Sequence, residues 1–108
     1  MGQAKYKFDL PDVELANFSR ALALPARVTI IRILMEQEDW VDNSRFNELP
    51  LAAEVTEKHL NALKAVKLIR KMTRDGHTFY QLNHELFKSM TGHLSTFISE
   101  IASHEPQK

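Results

Sequence analysis

The sequence feature that most restricts the fold is a hairpin signal in the second half of the chain. Two runs with strand-like composition, 68–73 and 78–82, flank the tetrapeptide Arg74-Asp75-Gly76-His77. An Asp-Gly connection favours a tight β-turn, because both residues tolerate the positive φ angles that such a turn requires. The sequence therefore predicts a two-stranded β-ribbon in this stretch.

Helical patterns lie on both sides of the ribbon. Apolar side chains recur at helical spacing, and we predict five helices, over 12–23, 25–37, 44–49, 53–66 and 84–102. Asp12 is the expected N-cap of the first helix, and Asn43 or Ser44 that of the third. The segment 37–43 is a loop or a short strand. Two short helices followed by a ribbon is the order of a winged helix-turn-helix domain, mainly α with a small β-hairpin wing.

The chain length predicts a single domain, and the last predicted helix offers a surface for a second copy of the chain. A chain of 108 residues suits one domain. We expect an N-terminal extension over 1–11, the winged helix-turn-helix domain over 12–103 and a polar tail over 104–108.

The last predicted helix carries an apolar stripe that a second copy of the chain would cover. The stripe consists of Leu86, Met90, Leu94 or His93, Phe97 and Ile101, widened by Phe87 and Ile98.

Composition argues against several classes of function. The chain has no cysteine, which removes disulfides, thiolate metal sites and thiol nucleophiles. No apolar run approaches the roughly 20 residues of a membrane span, and the first ten residues lack an apolar signal core, so we expect a cytoplasmic protein with no membrane partner. A Gly-rich phosphate loop, a serine elbow and a diagnostic carboxylate pair are also missing. We therefore predict no enzyme activity and no cofactor.

The net charge is zero, but basic residues are concentrated in one quarter of the chain. Residues 54–78 hold six Lys or Arg against three Asp or Glu. A local positive patch can attract phosphates even when the whole chain is neutral. The fourth predicted helix has one apolar stripe, which leaves Lys58, Asn61 and Lys64 on its other side as candidate DNA contacts. Arg74 and His77 are candidate contacts at the tip of the wing.

Three stretches of the sequence resemble the ArsR-type repressors. Residues 18–34 resemble the opening of that family, in which Pro-x-Arg precedes an isoleucine-rich helix. Residues 47–52, 59–63 and 68–69 resemble its helix-turn-helix, and 74–82 resembles its wing, which typically closes on Tyr-x-Leu. The three pieces occur in the right order at compatible spacing, and the resemblance covers about residues 12–100.

The resemblance implies a homodimer that binds operator DNA and releases it in response to an effector. In that family the first turns of the fourth helix read bases, which places Ala53, Glu54, Glu57 and Lys58 at the DNA. Glu54 and Glu57 depart from the small hydroxyl or amide residues usual there. A carboxylate can accept a hydrogen bond from cytosine, but it repels phosphates. The dimer would form mainly through the first and last helices, and the residues assigned to it are Val13, Phe18, Leu86, Met90, Phe97 and Ile101.

The metal-binding motifs of that family are not matched in this chain. Its thiolate motif falls on 39–42, which has no cysteine, and its site on the last helix falls on His84, Leu86, Phe97 and Glu100. Because Leu and Phe cannot bind a metal, we predict a metal-independent member. Lys67 stands where the family commonly has the Gly that ends the fourth helix, which leaves room for a different exit turn.

Two other functions fit the same residues. Glu54, Glu57 and the zero net charge also suit a winged-helix protein-interaction module that has lost strong DNA binding. A pocket between the first and last helices would suit a regulator that responds to a small molecule, and this is compatible with DNA binding. His59 either bonds a phosphate or packs against its own domain. The expected partners of the leading hypothesis are double-stranded DNA, a second copy of the chain and an unidentified small-molecule effector.

Overall fold

The computed structural model describes residues 7–106, and its elements follow the predicted order. Within this range, five helices accompany a three-stranded sheet, which confirms the prediction of a mainly helical fold with a β-hairpin wing. The elements are α1 (Leu10–Ala21), α2 (Pro25–Leu34), β1 (Val41–Asp42), a 3-10 helix (Asn43–Glu48), α3 (Ala53–Ala65), β2 (Ile69–Arg74), β3 (His77–Leu82) and α4 (His84–Ser103).

The ends of the first two helices differ from the predicted ones. Helix α1 begins at Leu10, with Asp9 in the N-cap position and a proline in its first turn. Asp12 is therefore not the N-cap but an acidic residue of the first turn. Proline is well tolerated there, because its missing N–H would have had no partner. Helix α2 ends at Leu34 rather than near 37, and Gln37 beyond it donates its side-chain N–H to the carbonyl of Trp40 at 2.7 Å.

The short segment between α2 and α3 contains a strand and a 3-10 helix. The strand β1 confirms one of the two alternatives for residues 37–43. The cap of the 3-10 helix is Asp42, not Asn43 or Ser44, since its carboxylate accepts a hydrogen bond from the backbone N–H of Ser44 at 2.8 Å. That bond favours the charged carboxylate and lowers the pKa of Asp42 below its usual value.

The sheet is antiparallel with the order β1-β3-β2. Strands β2 and β3 pair in register from Ile69 opposite Leu82 to Arg74 opposite His77, so each strand runs one residue closer to the turn than predicted. Asp75 and Gly76 form the connection with φ angles of 53° and 80°. Positive φ at both central residues is the requirement of a two-residue I′ turn, which matches the right-handed twist of the strands.

The core lies where the helices meet the sheet. The rings of Phe46 and Tyr80 pack edge-to-face at 5.8 Å, and those of Phe18 and Phe87 at 5.6 Å join α1 to α4. The largest fully buried side chains of residues 7–106 are Ile30, Leu60, Leu63, Leu68, Ile69 and Val41. Burying these apolar groups is the main force that fixes α2, α3 and the wing relative to one another. Among the helices of residues 7–106, none is both long and apolar enough to span a lipid bilayer.

Candidate nucleic-acid interface

Helix α3 has one buried side and one open side. Thr56, Leu60 and Leu63 are buried, and the helix contacts both α2 and β2. Glu54, Glu57, Lys58, Asn61 and Lys64 are exposed on the helix surface away from this stripe. Since positions three and four residues apart share a face of a helix, the open side presents two carboxylates, an amide and two ammonium groups.

The structure places every predicted DNA-contact residue on the surface, but it brings only some of them together. A shallow depression of about 390 Å³ is lined by Ala53, Glu54, Glu57, Lys58 and Asn61. The N-terminal half of α3 thus offers a continuous surface that combines apolar, acidic, basic and amide groups.

The remaining predicted contacts lie outside that depression. Lys64 is exposed near the C-terminal end of α3, and Arg74 and His77 are exposed at the tip of the wing. Arg74 and His77 form the last pair of the ladder before the turn, so both lie at the tip of the ribbon. Lys64 and the Arg74–His77 pair therefore lie at two exposed places outside the depression.

Sequence reasoning missed several polar residues at the junction of α3 with the wing. A second cleft of about 210 Å³ joins Asn43 and Asn47 of the 3-10 helix to Glu57, Lys71 and Tyr80. Lys71 belongs to the basic stretch noted above, which was the available signal for it. The two asparagines carry no such signal, because their proximity to the wing depends on long-range pairing of β1 with β3.

The electrostatics of this region combine net positive charge with local acidic groups. The ion pairs of residues 7–106 are those of Arg45 with Glu36 and Glu48. The basic side chains of α3 and the wing are therefore not committed to carboxylates of this range. Burial raises the pKa of the Tyr80 phenol, and the negative charge of Glu57 raises it further. The phenol is consequently neutral and able to donate a hydrogen bond at physiological pH.

His59 connects α3 to α2. The Nε–H of Arg27 donates to Nδ1 of His59 at 3.2 Å, and the imidazole is half-buried. Arg27 also donates to the carbonyl of Ala21 at 3.4 Å. The bond shows that His59 packs against its own domain, and it leaves Nε2–H as a donor, so it does not decide between the packing role and a phosphate contact.

The residues assigned to the dimer surface fall into two groups. Val13, Phe97 and Ile101 are exposed, and Leu86 is half-buried. Phe18 and Met90, however, are only 7 % and 5 % exposed, because α1 covers the N-terminal half of α4. These two residues belong to the chain's own core, so we correct their assignment to a surface that a second copy could reach.

Lys67 left room for a different exit turn after α3, but the turn is the usual one. Lys67 adopts a φ of 66°, the left-handed conformation that glycine favours. Its N–H donates to the carbonyl of Lys64 at 2.9 Å, and that of Leu68 donates to the carbonyl of Leu63 at 3.0 Å. These two bonds form a Schellman motif. A lysine therefore makes the turn for which a glycine is the usual residue.

No three His, Asp or Glu side chains within residues 7–106 are grouped so that they could hold a metal ion. His84, His93 and His104 are all exposed, and they are spread along or just beyond α4.

The 3-10 helix, α3 and the β2–β3 ribbon together define a winged helix-turn-helix fold. No protein-family model and no curated protein matches the chain. Among solved structures, it is similar to an ArsR-like transcriptional regulator from Rhodococcus sp. RHA1, with 24% identity and a TM-score of 0.69 over 84% of this chain and 85% of that chain.

Two further solved structures agree. An ArsR family transcriptional regulator has 19% identity and a TM-score of 0.72, with 95% of this chain and 100% of that chain covered. The M. tuberculosis protein Rv0081 has 17% identity and a TM-score of 0.62, with 90% of this chain and 100% of that chain covered. At these identities the likeness concerns the fold, and the chain has the winged helix-turn-helix fold of ArsR-type regulators.

Proposed function

We propose that this chain is a transcriptional regulator of the ArsR type that binds double-stranded DNA as a homodimer and represses transcription in the cytoplasm. The observation that carries the proposal is the open side of α3, where Lys58, Asn61 and Lys64 are exposed; Arg74 and His77 are exposed at the tip of the wing. In helix-turn-helix proteins the second helix of the pair enters the major groove. Exposed lysines and a basic wing would then meet the flanking phosphates.

The binding test compares variants across a salt series. The protein is titrated against a fluorescent duplex of random sequence, and affinity is measured by anisotropy. Each phosphate contact contributes a slope of about −0.9 in log affinity against log salt. Lys58→Ala and Lys64→Ala should each reduce the magnitude of this slope by about one. Lys88 is an exposed lysine of α4, and Lys88→Ala should leave the slope unchanged. Equal slopes for all four proteins would refute the proposed DNA contacts.

The carboxylates of α3 distinguish DNA binding from the alternative of a protein-interaction module. If α3 faces phosphates, Glu54→Gln and Glu57→Gln should each strengthen binding to random duplex, because a repulsive charge is removed. If α3 instead binds a basic protein surface, wild type and both variants should all show negligible affinity for random duplex. The two glutamates are the observation that favours this second function.

The proposed dimer rests on an exposed apolar surface at the free end of α4. Phe97, Ile98 and Ile101 are 48 %, 53 % and 55 % exposed, and Val13 and Leu10 of α1 are exposed as well. Phe97, Ile98 and Ile101 share one side of α4 by their spacing, and a group of exposed apolar side chains typically marks an interface. Ile98→Glu should convert a dimer into a monomer in sedimentation equilibrium, while Ser99→Glu, a neighbouring exposed position, should not. A wild-type chain that stays monomeric would refute the dimer.

A small-molecule effector would fit the cleft between α1, the end of α3 and α4. This cleft of about 360 Å³ has apolar walls that include Phe18, Leu86 and Met90, with Glu14 and Lys67 at its polar margin. Cavities of this size accept small organic ligands. A thermal-shift screen should find compounds that raise the melting temperature and that fail to do so in Leu86→Trp.

The proposal includes repression that does not depend on a metal. Chelation should leave DNA affinity unchanged, and an operator-linked reporter should be expressed more strongly with the Lys58→Ala, Lys64→Ala double variant than with wild type. Lower reporter expression in the variant would indicate activation instead.

A further inference from the structure

Asn83 connects three parts of the molecule: the exit turn of α3, the wing and the start of α4. Asn83 occupies the single position between β3 and α4 and is half-buried. Its backbone N–H donates to the carbonyl of Leu68 at 2.9 Å, and its own carbonyl accepts from Phe87 at 3.1 Å. The backbone of Asn83 thus ties the start of the wing to the first turn of α4.

The side chain of Asn83 adds bonds in two further directions. Its Oδ1 accepts from the N–H of Leu86 at 3.3 Å, which caps α4, and from Nη2 of Arg70 at 3.3 Å. Its Nδ2 donates to the carbonyl of Lys67 at 2.9 Å. The carboxamide therefore links α4 and β2 to the exit turn of α3.

Capping alone does not account for this use of asparagine. Asp, Ser and Asn are about equally good N-caps, because each offers an oxygen to the first-turn N–H groups. Asp has no donor, and the single hydroxyl oxygen of Ser would have to serve both bonds, so only the carboxamide places the acceptor for Leu86 and the donor for Lys67 on separate atoms. The Nδ2 group of Asn83 donates to the carbonyl of Lys67, which is the residue at the exit of α3 with a left-handed φ. Such a conformation persists in a non-glycine residue when its surroundings fix it.

We propose that Asn83 is a positioning residue, whose carboxamide sets the orientation of α3 and the wing relative to α4. The inference rests on the proposed function, in which α3 reads DNA and α4 holds two copies together. If α4 defines the dimer axis, then the contact from Asn83 to Lys67 helps to define where each α3 lies relative to that axis. Movement of α4, whatever drives it, would reach the DNA-contact surface through this bond.

The experiment uses variants that keep a capping oxygen and lose the amide N–H₂ group that bonds Lys67. Asn83→Asp and Asn83→Ser both retain an oxygen for Leu86, one charged and one neutral, so an effect shared by both does not arise from charge. Both should weaken binding to a selected operator by about fivefold to tenfold, the range expected for one lost hydrogen bond. The salt slope should stay unchanged, because the number of phosphate contacts is the same.

Amide hydrogen exchange of the DNA-free protein supplies a second readout. In both variants the N–H groups of Lys67 and Leu68 should exchange about fivefold to tenfold faster, while those in the middle of α2 keep their wild-type rates. A merely structural cap would instead change exchange along α4. In a Lys67→Gly background the effect of Asn83→Asp on operator affinity should shrink, because glycine adopts the left-handed conformation without help.

The outcomes separate the two proposals. If wild type fails to bind DNA, the proposed function is refuted, and the exchange rates of Lys67 and Leu68 still decide whether Asn83 fixes the turn. If wild type binds its operator and both variants match it in affinity, the positioning role is overturned, whatever the exchange rates. Wild-type exchange rates at Lys67 and Leu68 in both variants would also overturn it.

Discussion

Replacing Lys67 by glycine should stabilise the protein. Lys67 holds a φ of 66°, and a residue with a Cβ pays about 1–2 kcal/mol to stay in the left-handed region. Glycine avoids this strain but loses more backbone freedom on folding, an opposing effect of about 0.4–1 kcal/mol. The difference predicts a gain of about 0.5–1 kcal/mol in the free energy of unfolding.

Two further variants isolate the backbone effect. Lys67→Ala removes the ammonium group but keeps a Cβ, so it should change stability by no more than about 0.3 kcal/mol, the size of a helix-terminus charge effect. Ala65→Gly, at the last residue of α3, should destabilise by about 0.5–1 kcal/mol, because its backbone is helical.

The assay is equilibrium unfolding in urea, followed by circular dichroism, with thermal melting as a check. For a chain of this size the predicted gain corresponds to a rise of about 2–6 °C in melting temperature. The dependence of the free energy on urea should be the same in all variants, since the surface exposed on unfolding does not change. A Lys67→Gly protein as unstable as Ala65→Gly would refute the assigned conformation of the exit turn.

Three other perturbations test the core, the wing and the site. Leu63 is fully buried, so Leu63→Ala should cost about 3 kcal/mol in urea unfolding, and a loss under about 1 kcal/mol would contradict the assigned core. Gly76 has a φ of 80° and no atom within 4 Å of an added Cβ, so Gly76→Ala should cost about 1 kcal/mol through backbone strain alone. Burial and Glu57 raise the pKa of Tyr80, which means that the folded state holds the phenolic proton more tightly than the unfolded state. Stability should therefore fall as pH rises above about 10, and this part of the fall should be absent in Tyr80→Phe.

The sequence predicted the elements whose signals are local. Periodic apolar residues gave α3 and α4 within a residue or two, and Asp75-Gly76 gave the turn of the wing. The predicted helix ends were less accurate where a local side-chain hydrogen bond competes with the helix. Examples are the bond from Gln37 to the carbonyl of Trp40 beyond α2 and the bond from the N–H of Ser44 to Asp42 before the 3-10 helix.

The features that depend on distant contacts could not be read from the sequence. Periodicity shows which side of α4 is apolar, but not that α1 covers Met90 and leaves Phe97 open. Nothing in the sequence around Asn83 reveals its bond to Lys67, since 16 residues separate them. The left-handed backbone of Lys67 was not predicted either: the resemblance marked position 67 as the usual place of a glycine, but a lysine is not the residue that such a turn normally selects.

The most direct test of a dimer that reads DNA with α3 is selection of binding sites from a pool of random duplexes by the purified protein. A two-fold dimer with one α3 in each major groove should enrich two inverted half-sites, with their centres about 10 base pairs apart. The Lys58→Ala, Lys64→Ala variant should enrich nothing under the same conditions. Recovery of unselected sequence by the wild-type protein, or of lone half-sites without a partner, would contradict this account.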